Sequence, residues 1–178
     1  MILERRIMPE EKTLLRATLV FPVREGEVLL AEKTRKIGAG CLNGYGGGVD
    51  GDESLLVCAC REFQEETGGA SVSEEDLDLV AVVNFHNKKS DGSFFTCVVH
   101  VYTTRKWSGE IVSTDEMQNP KWYQISMLNR EKLMLADYHW LLPVLSGKKL
   151  IAEAWYGPFQ QTLLADVKIQ EVDSFEQE

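Results

Sequence analysis

Apolar and polar positions fall into two kinds of pattern along this chain. Apolar and β-branched residues dominate "TLLRATLVFPV" (Thr13 to Val23), and "EVLLAEKT" follows after Arg24-Glu25-Gly26, the composition of a hairpin turn. Two further runs, "LVAVVNFHN" and "FFTCVVHVYTT", flank the turn "KKSDGS" and read as a second pair of strands. Between the pairs, Leu56, Ala59, Cys60, Phe63 and Thr67 recur at helical spacing. That predicts a helix from about Asp52 to Thr67, stopped by Gly68. A short helix is expected near Asp137 to Ser146, with Pro143 tolerable only near its first turns. "KLIAEAWYG" and "QTLLADVKIQEV" then close the chain as β-rich segments around Gly157-Pro158. Strands before and after a central helix predict an α/β fold with a mixed sheet and helices packed on it.

No repeat and no Pro-, Gly- or Ser-rich linker divides the sequence. Residues 1–178 therefore read as one domain, with a core from about 13 to 172 and the acidic tail "EVDSFEQE". No apolar run approaches membrane-spanning length, and Met1 to Pro9 carries Glu4, Arg5 and Arg6 in place of a secretory apolar core. The expectation is a cytoplasmic protein with no membrane partner. Cys41, Cys58, Cys60 and Cys97 form no CxxC pair and no Cys/His metal spacing, so reduced structural thiols are expected. His86, His100 and His139 also lack ligand spacing and read as structural or exposed. The net charge of −9 argues against duplex nucleic acid as a partner. It leaves open a small phosphorylated substrate held through a divalent cation.

Candidate chemistry concentrates in "GGGVDGDESLLVCACREFQEETGG". Glu62, Glu65 and Glu66 share one side of the expected helix, where like charges repel. A solvated helix face, with Arg61 offsetting some of that repulsion, is one reading. A hard cation resolving it is the other, since Mg²⁺ takes oxygen ligands and is commonly shared between carboxylates and substrate phosphates. The surroundings favour the cation. Gly44, Gly46, Gly47 and Gly48 permit close backbone approach, and Glu53 adds a carboxylate near the helix start.

Gly47, Glu53, Arg61, Glu62, Phe63, Glu65, Glu66 and Gly68 stand in a register that resembles the Nudix box, Gly-x5-Glu-x7-Arg-Glu-U-x-Glu-Glu-x-Gly-U, where U is a bulky apolar residue. Gly69 departs from it at the final U. The resemblance implies hydrolysis of a nucleoside diphosphate linked to another group, with water as the nucleophile and Mg²⁺ (or Mn²⁺) as cofactor. It implies Glu62, Glu65 and Glu66 as metal ligands and the source of a base, Arg61 orienting them, Glu53 supporting from behind, and Gly47 letting backbone contact the phosphates.

"KTRKIGAGCLNGYGG", "VVHVYTT", "STDEM" and "WYGPFQQTLLADVKIQEV" extend the likeness to the MutT-homologue branch, which hydrolyses oxidised purine nucleoside triphosphates. The implied fold is an α/β/α sandwich with a mixed β-sheet. The branch further implies Glu116 as a distant metal ligand, Asn43 as a purine contact, and Thr18 and Lys33 as pocket residues near the nucleotide. Ile37 and Met134 stand where relatives often carry an aromatic and a tryptophan. Ala136-Asp137 stands where they carry two adjacent aspartates, and Asp137 reads equally as a base reader or as N-cap of the helix that follows. The implied partner is a small-molecule nucleotide, with the oligomeric state left open. Two alternatives stand beside this reading. One is a Nudix hydrolase of dinucleoside polyphosphates, nucleotide sugars or RNA 5′ ends; the other is a nucleotide-binding module without turnover.

Overall fold

The structure, a computed structural model, describes Glu11 and residues 13–176; the Met1 to Pro9 segment lies outside them. Strands β1 (Arg16–Arg24) and β2 (Glu27–Lys33) form the first hairpin around Gly26, whose φ of 70° suits glycine. Short strands β3 (Leu42–Asn43) and β4 (Tyr45–Gly48) precede helix α1 (Leu55–Glu66). Then come β5 (Asp78–Lys88), β6 (Phe94–Thr104), β7 (Met117–Gln124), α2 (Asp137–Leu145), β8 (Lys149–Tyr156) and β9 (Lys168–Val172). Among the described residues these nine strands form one mixed sheet, ordered β3-β2-β1-β6-β5-β8-β9, with β4 paired to β1 and β7 to β2. β1 runs parallel to β6, and β5 parallel to β8; the remaining pairings are antiparallel.

Strand alternation divides the apolar residues between the two faces. Val20, Leu29, Ala31 and Tyr45 meet Ala59 and Phe63 of α1, whereas Phe21, Val28, Leu30, Val83 and Leu150 meet Trp140, Leu141 and Val144 of α2. The result is helix, sheet, helix, as the resemblance implies. Burial of these side chains drives the assembly, each large aliphatic or aromatic contributing about 1.5–3 kcal/mol.

Several boundaries differ from the sequence expectation. α1 starts at Leu55, later than Asp52, because Ser54 caps it: its Oγ accepts from the Val57 N–H at 3.1 Å. Asp137 is not a cap. It is the first residue of α2, behind Ala136, and its carboxylate turns inward. Pro143 falls in the last turn of α2 and not the first; the helix ends two residues later, so the lost donor disturbs little. Of "QTLLADVKIQEV", only Lys168–Val172 is a strand. β7 escapes the pattern because Pro120 interrupts it. The register against β2 shifts between Leu30 and Glu32, and Asn119 takes φ 54°, so proline occupies an irregularity in the ladder.

Candidate active site

α1, β4 and the loop before β7 bring the carboxylates together. Arg61 is their hub. Its Nη2 and Nε donate to Glu53 at 2.6 and 3.0 Å, and its Nη1 donates to Glu62 at 2.8 Å and Glu65 at 3.4 Å. Nη2 also reaches the Gly48 carbonyl at 3.1 Å, which ties α1 to β4. The guanidinium holds the Glu53 carboxyl down to about 2, so Glu53 stays ionised as its clamp. Glu53 in turn accepts from the Asp50 N–H at 2.8 Å, fixing the loop before α1.

Glu62 and Glu66 face β4. Glu66 Oε2 accepts from the Gly46 N–H at 3.0 Å. A Cβ at Gly47 would stand 2.6 Å from the Glu62 carboxyl carbon, so the missing side chain at 47 is the space this carboxylate occupies. Burial raises the pKa of Glu62, and lifts Glu66 to about 8, with the charges of Glu62 and Glu116 adding to the shift. Thr114 brings in the last acid. Its Oγ1 donates to the Glu66 carbonyl at 3.2 Å and accepts from the Met117 N–H, which sets Glu116 beside the end of α1. Arg35 donates to Glu116 at 2.5 Å and lowers its pKa.

Among the described residues, no three such side chains stand in ligand geometry. Arg61 draws on Glu62 and Glu65, the Gly46 amide on Glu66, and Arg35 on Glu116. The donor set nevertheless suits a hard cation. It is all oxygen, and its buried members carry raised pKa values that a cation would reverse.

Across the sheet edge lies a second cluster. Asp137 is buried on α2, and its Oδ1 accepts from Trp140 Nε1 at 3.1 Å. Burial lifts Asp137 to about 7; in its protonated form this acid both donates and accepts, where the ionised carboxylate only accepts. Lys33 is drawn electrostatically to both Glu66 and Asp137, while burial lowers its pKa. Gly38, at φ 87°, closes over it: a Cβ there would meet Met134 Sδ at 2.9 Å and Lys33 Cδ at 3.5 Å. Asn43, paired with Ala31 of β2, spends its Oδ1 on the Gly44 N–H at 2.8 Å and keeps its amide donors.

Thr18 is placed differently. It is buried opposite Gly47, with its hydroxyl 3.4 Å from Cys58 Sγ under α1. Ile37 is exposed on the loop. His86 bonds Thr96 at 2.8 Å and His139 lies 3.3 Å from Arg130, away from the acids. All four cysteines are free. Gly69 adopts φ 115°, and its amide bonds the Gln64 carbonyl at 2.9 Å. Glycine at this departure from the box serves a left-handed helix exit, while Ala70 and Val72 supply the nearby packing. Sequence reasoning missed Thr114 and Tyr156; a threonine two residues before Glu116 was the only signal for the first.

The NUDIX domain model matches residues 13–142, and the chain belongs to that family of hydrolases. The oxidized purine nucleoside triphosphate hydrolase of Mus musculus is 33% identical over 158 residues, covering 89% of this chain and 96% of the relative. The protein of the same description from Danio rerio is 31% identical over 157 residues, covering 88% of this chain and 94% of the relative. In fold, the crystal structure of the MutT protein from Bacillus halodurans is similar with a TM-score of 0.70 at 24% identity, covering 88% of this chain and 97% of that one. No described helix is long and apolar enough to cross a membrane.

Proposed function

We propose that this hydrolase cleaves purine nucleoside triphosphates, oxidised forms such as 8-oxo-dGTP and 2-hydroxy-dATP included, to monophosphate and pyrophosphate. One observation carries the reading. Lys33 is drawn electrostatically both to Glu66 of the carboxylate cluster and to Asp137, so the two groups are close enough for a single bound molecule to offer phosphates to one and a base to the other. The names of the two animal relatives support the same substrate class.

Glu62, Glu65, Glu66 and Glu116 would hold Mg²⁺ or Mn²⁺, with Arg61 and Glu53 fixing the first two. A divalent cation supplies charge neutralisation on the phosphate oxygens and a lower pKa for the attacking water. Gly46 and Gly47 keep β4 bare beside the glutamates, and Lys33 adds positive charge where the polyphosphate would lie. Asn43 and Asp137 would read the purine edge, where oxidation changes which ring atoms donate. Thr18 would act from beneath, seating β4 against α1. Ala136 offers no second acid, so selectivity for oxidised over normal purines is modest and dGTP is also cleaved.

The test is pyrophosphate release with Mg²⁺ from 8-oxo-dGTP, 2-hydroxy-dATP, dGTP, a dinucleoside polyphosphate and a nucleotide sugar. Purine triphosphates should be the best substrates. Excess EDTA should stop turnover, and Glu66→Gln should lower kcat roughly a hundredfold or more while the protein stays folded. Turnover in EDTA overturns the metal assignment; preference for the sugar or the dinucleotide overturns the substrate.

A further inference from the structure

α2 begins without a side-chain cap. Ala136 occupies the N-cap position with a methyl group that can accept nothing, and it is fully buried. A buried helix start needs partners for its first amides. One comes from another strand: the hydroxyl of Tyr156, the last residue of β8, accepts from the Ala136 N–H at 2.8 Å. Tyr156 is itself fully buried, and its ring stacks on Phe85 with centroids 6.0 Å apart and planes at 27°. Two aromatic bonds therefore bracket Asp137. Tyr156 fixes the backbone just before it, and Trp140 fixes Oδ1. The Tyr156 hydroxyl lies near Asp137 and Cys41.

We propose that Tyr156 is the positioning residue that sets purine selectivity in this enzyme: by holding the Ala136 amide it aims the Asp137 carboxyl at the base. The inference rests on the purine-reading role given to Asp137 above. It adds a residue on a different strand that acts without belonging to the carboxylate cluster. The energetic reasoning is geometric. A reader displaced by a fraction of an ångström makes a poor hydrogen bond to every base, and discrimination falls before turnover does.

The experiment compares Tyr156→Phe, Asp137→Asn and the double variant with wild type, using 8-oxo-dGTP, dGTP and Mg²⁺. Tyr156→Phe should change the ratio of kcat/KM for the two nucleotides by about tenfold, mostly through KM, with kcat at saturation within about threefold of wild type. The double variant should be no worse than Asp137→Asn alone, since both act on one hydrogen bond. Amide exchange at Ala136, slow in wild type, should accelerate in Tyr156→Phe. A purely structural Tyr156 gives a different result: kcat falls equally for both nucleotides and the ratio stands still, which overturns the proposal. If Tyr156→Phe folds poorly, 3-fluorotyrosine at this position keeps the ring and hydroxyl while weakening the oxygen as an acceptor; an unchanged ratio there overturns it too. Failure of the substrate reading is distinguishable, because then Asp137→Asn also leaves the ratio unchanged.

Discussion

Gly46 and Gly47 are neighbours on β4 that lack side chains for different reasons. A Cβ at Gly46 would come within 1.8 Å of the Thr18 carbonyl oxygen, which is backbone of the adjoining strand and cannot yield. The nearest atoms to a Cβ at Gly47 would be those of the Glu62 carboxyl, the mobile end of a side chain. Gly46→Ala should therefore disrupt the pairing of β1 with β4 and cost on the order of 3 kcal/mol or more in urea unfolding. Gly47→Ala should stay within about 1 kcal/mol of wild type, yet expel Glu62 from its contact with Arg61. Its kcat should drop roughly ten- to a hundredfold, with more Mg²⁺ needed for half-maximal rate. Equal stability losses in the two variants would contradict this division. The box residues were legible in the sequence because they lie within one short segment whose register is fixed by the helix itself. Lys33, Glu116 and Asp137 were reached only through the family likeness, since three separate loops and strands bring them together. Tyr156 lies in a segment that carries the family likeness, but nothing in the sequence marked its role, because a tyrosine ending an apolar strand looks like ordinary core.

Elements were legible where one periodicity ran long enough to outweigh local exceptions. β5 and β6 are apolar and β-rich over eleven residues each, and both were readable to within a residue. β3 and β4 total six residues in a glycine-rich stretch, too short and too bare for alternation to show. β7 mixes polar residues with a proline, and only its pairing with β2 makes it a strand. α1 was visible from its apolar stripe, but its start was set by a side-chain bond and not by the stripe. Removing that bond tests its weight: Ser54→Ala should cost about 1 kcal/mol of stability through the lost cap on the Val57 amide. The glutamates proposed to hold the metal lie at the far end of α1, so kcat at 25 °C should change less than twofold. A large loss of activity without loss of stability would mean that Ser54 has a role besides capping.

For the molecule as a whole, the acids that stay inside divide by sign. Glu53, held low by Arg61, contributes stability that is present above its unfolded value near 4.5 and is lost only as pH falls toward about 2. Asp137 and Glu66 act oppositely. Their folded pKa values, about 7 and about 8, lie above the unfolded values of 3.8 and 4.5, so the folded state retains protons that the unfolded chain releases. Stability should therefore fall as pH rises through this window and level off above pH 8. Asp137→Asn isolates one share of that slope, because the amide oxygen can still accept from Trp140 Nε1 while the titration disappears. Near pH 4 the variant and wild type should be about equally stable. As pH rises to about 7 the variant should gain relative to wild type, by roughly 1.4 kcal/mol per unit and on the order of 4 kcal/mol at most. Urea unfolding of both proteins without metal at pH 4, 5.5, 7 and 8 reads the difference directly, and the shared contribution of Glu66 cancels. A constant difference across the series would show that Asp137 is ionised throughout, held by Lys33 more strongly than burial opposes it. The same protein would then present the purine with an acceptor alone.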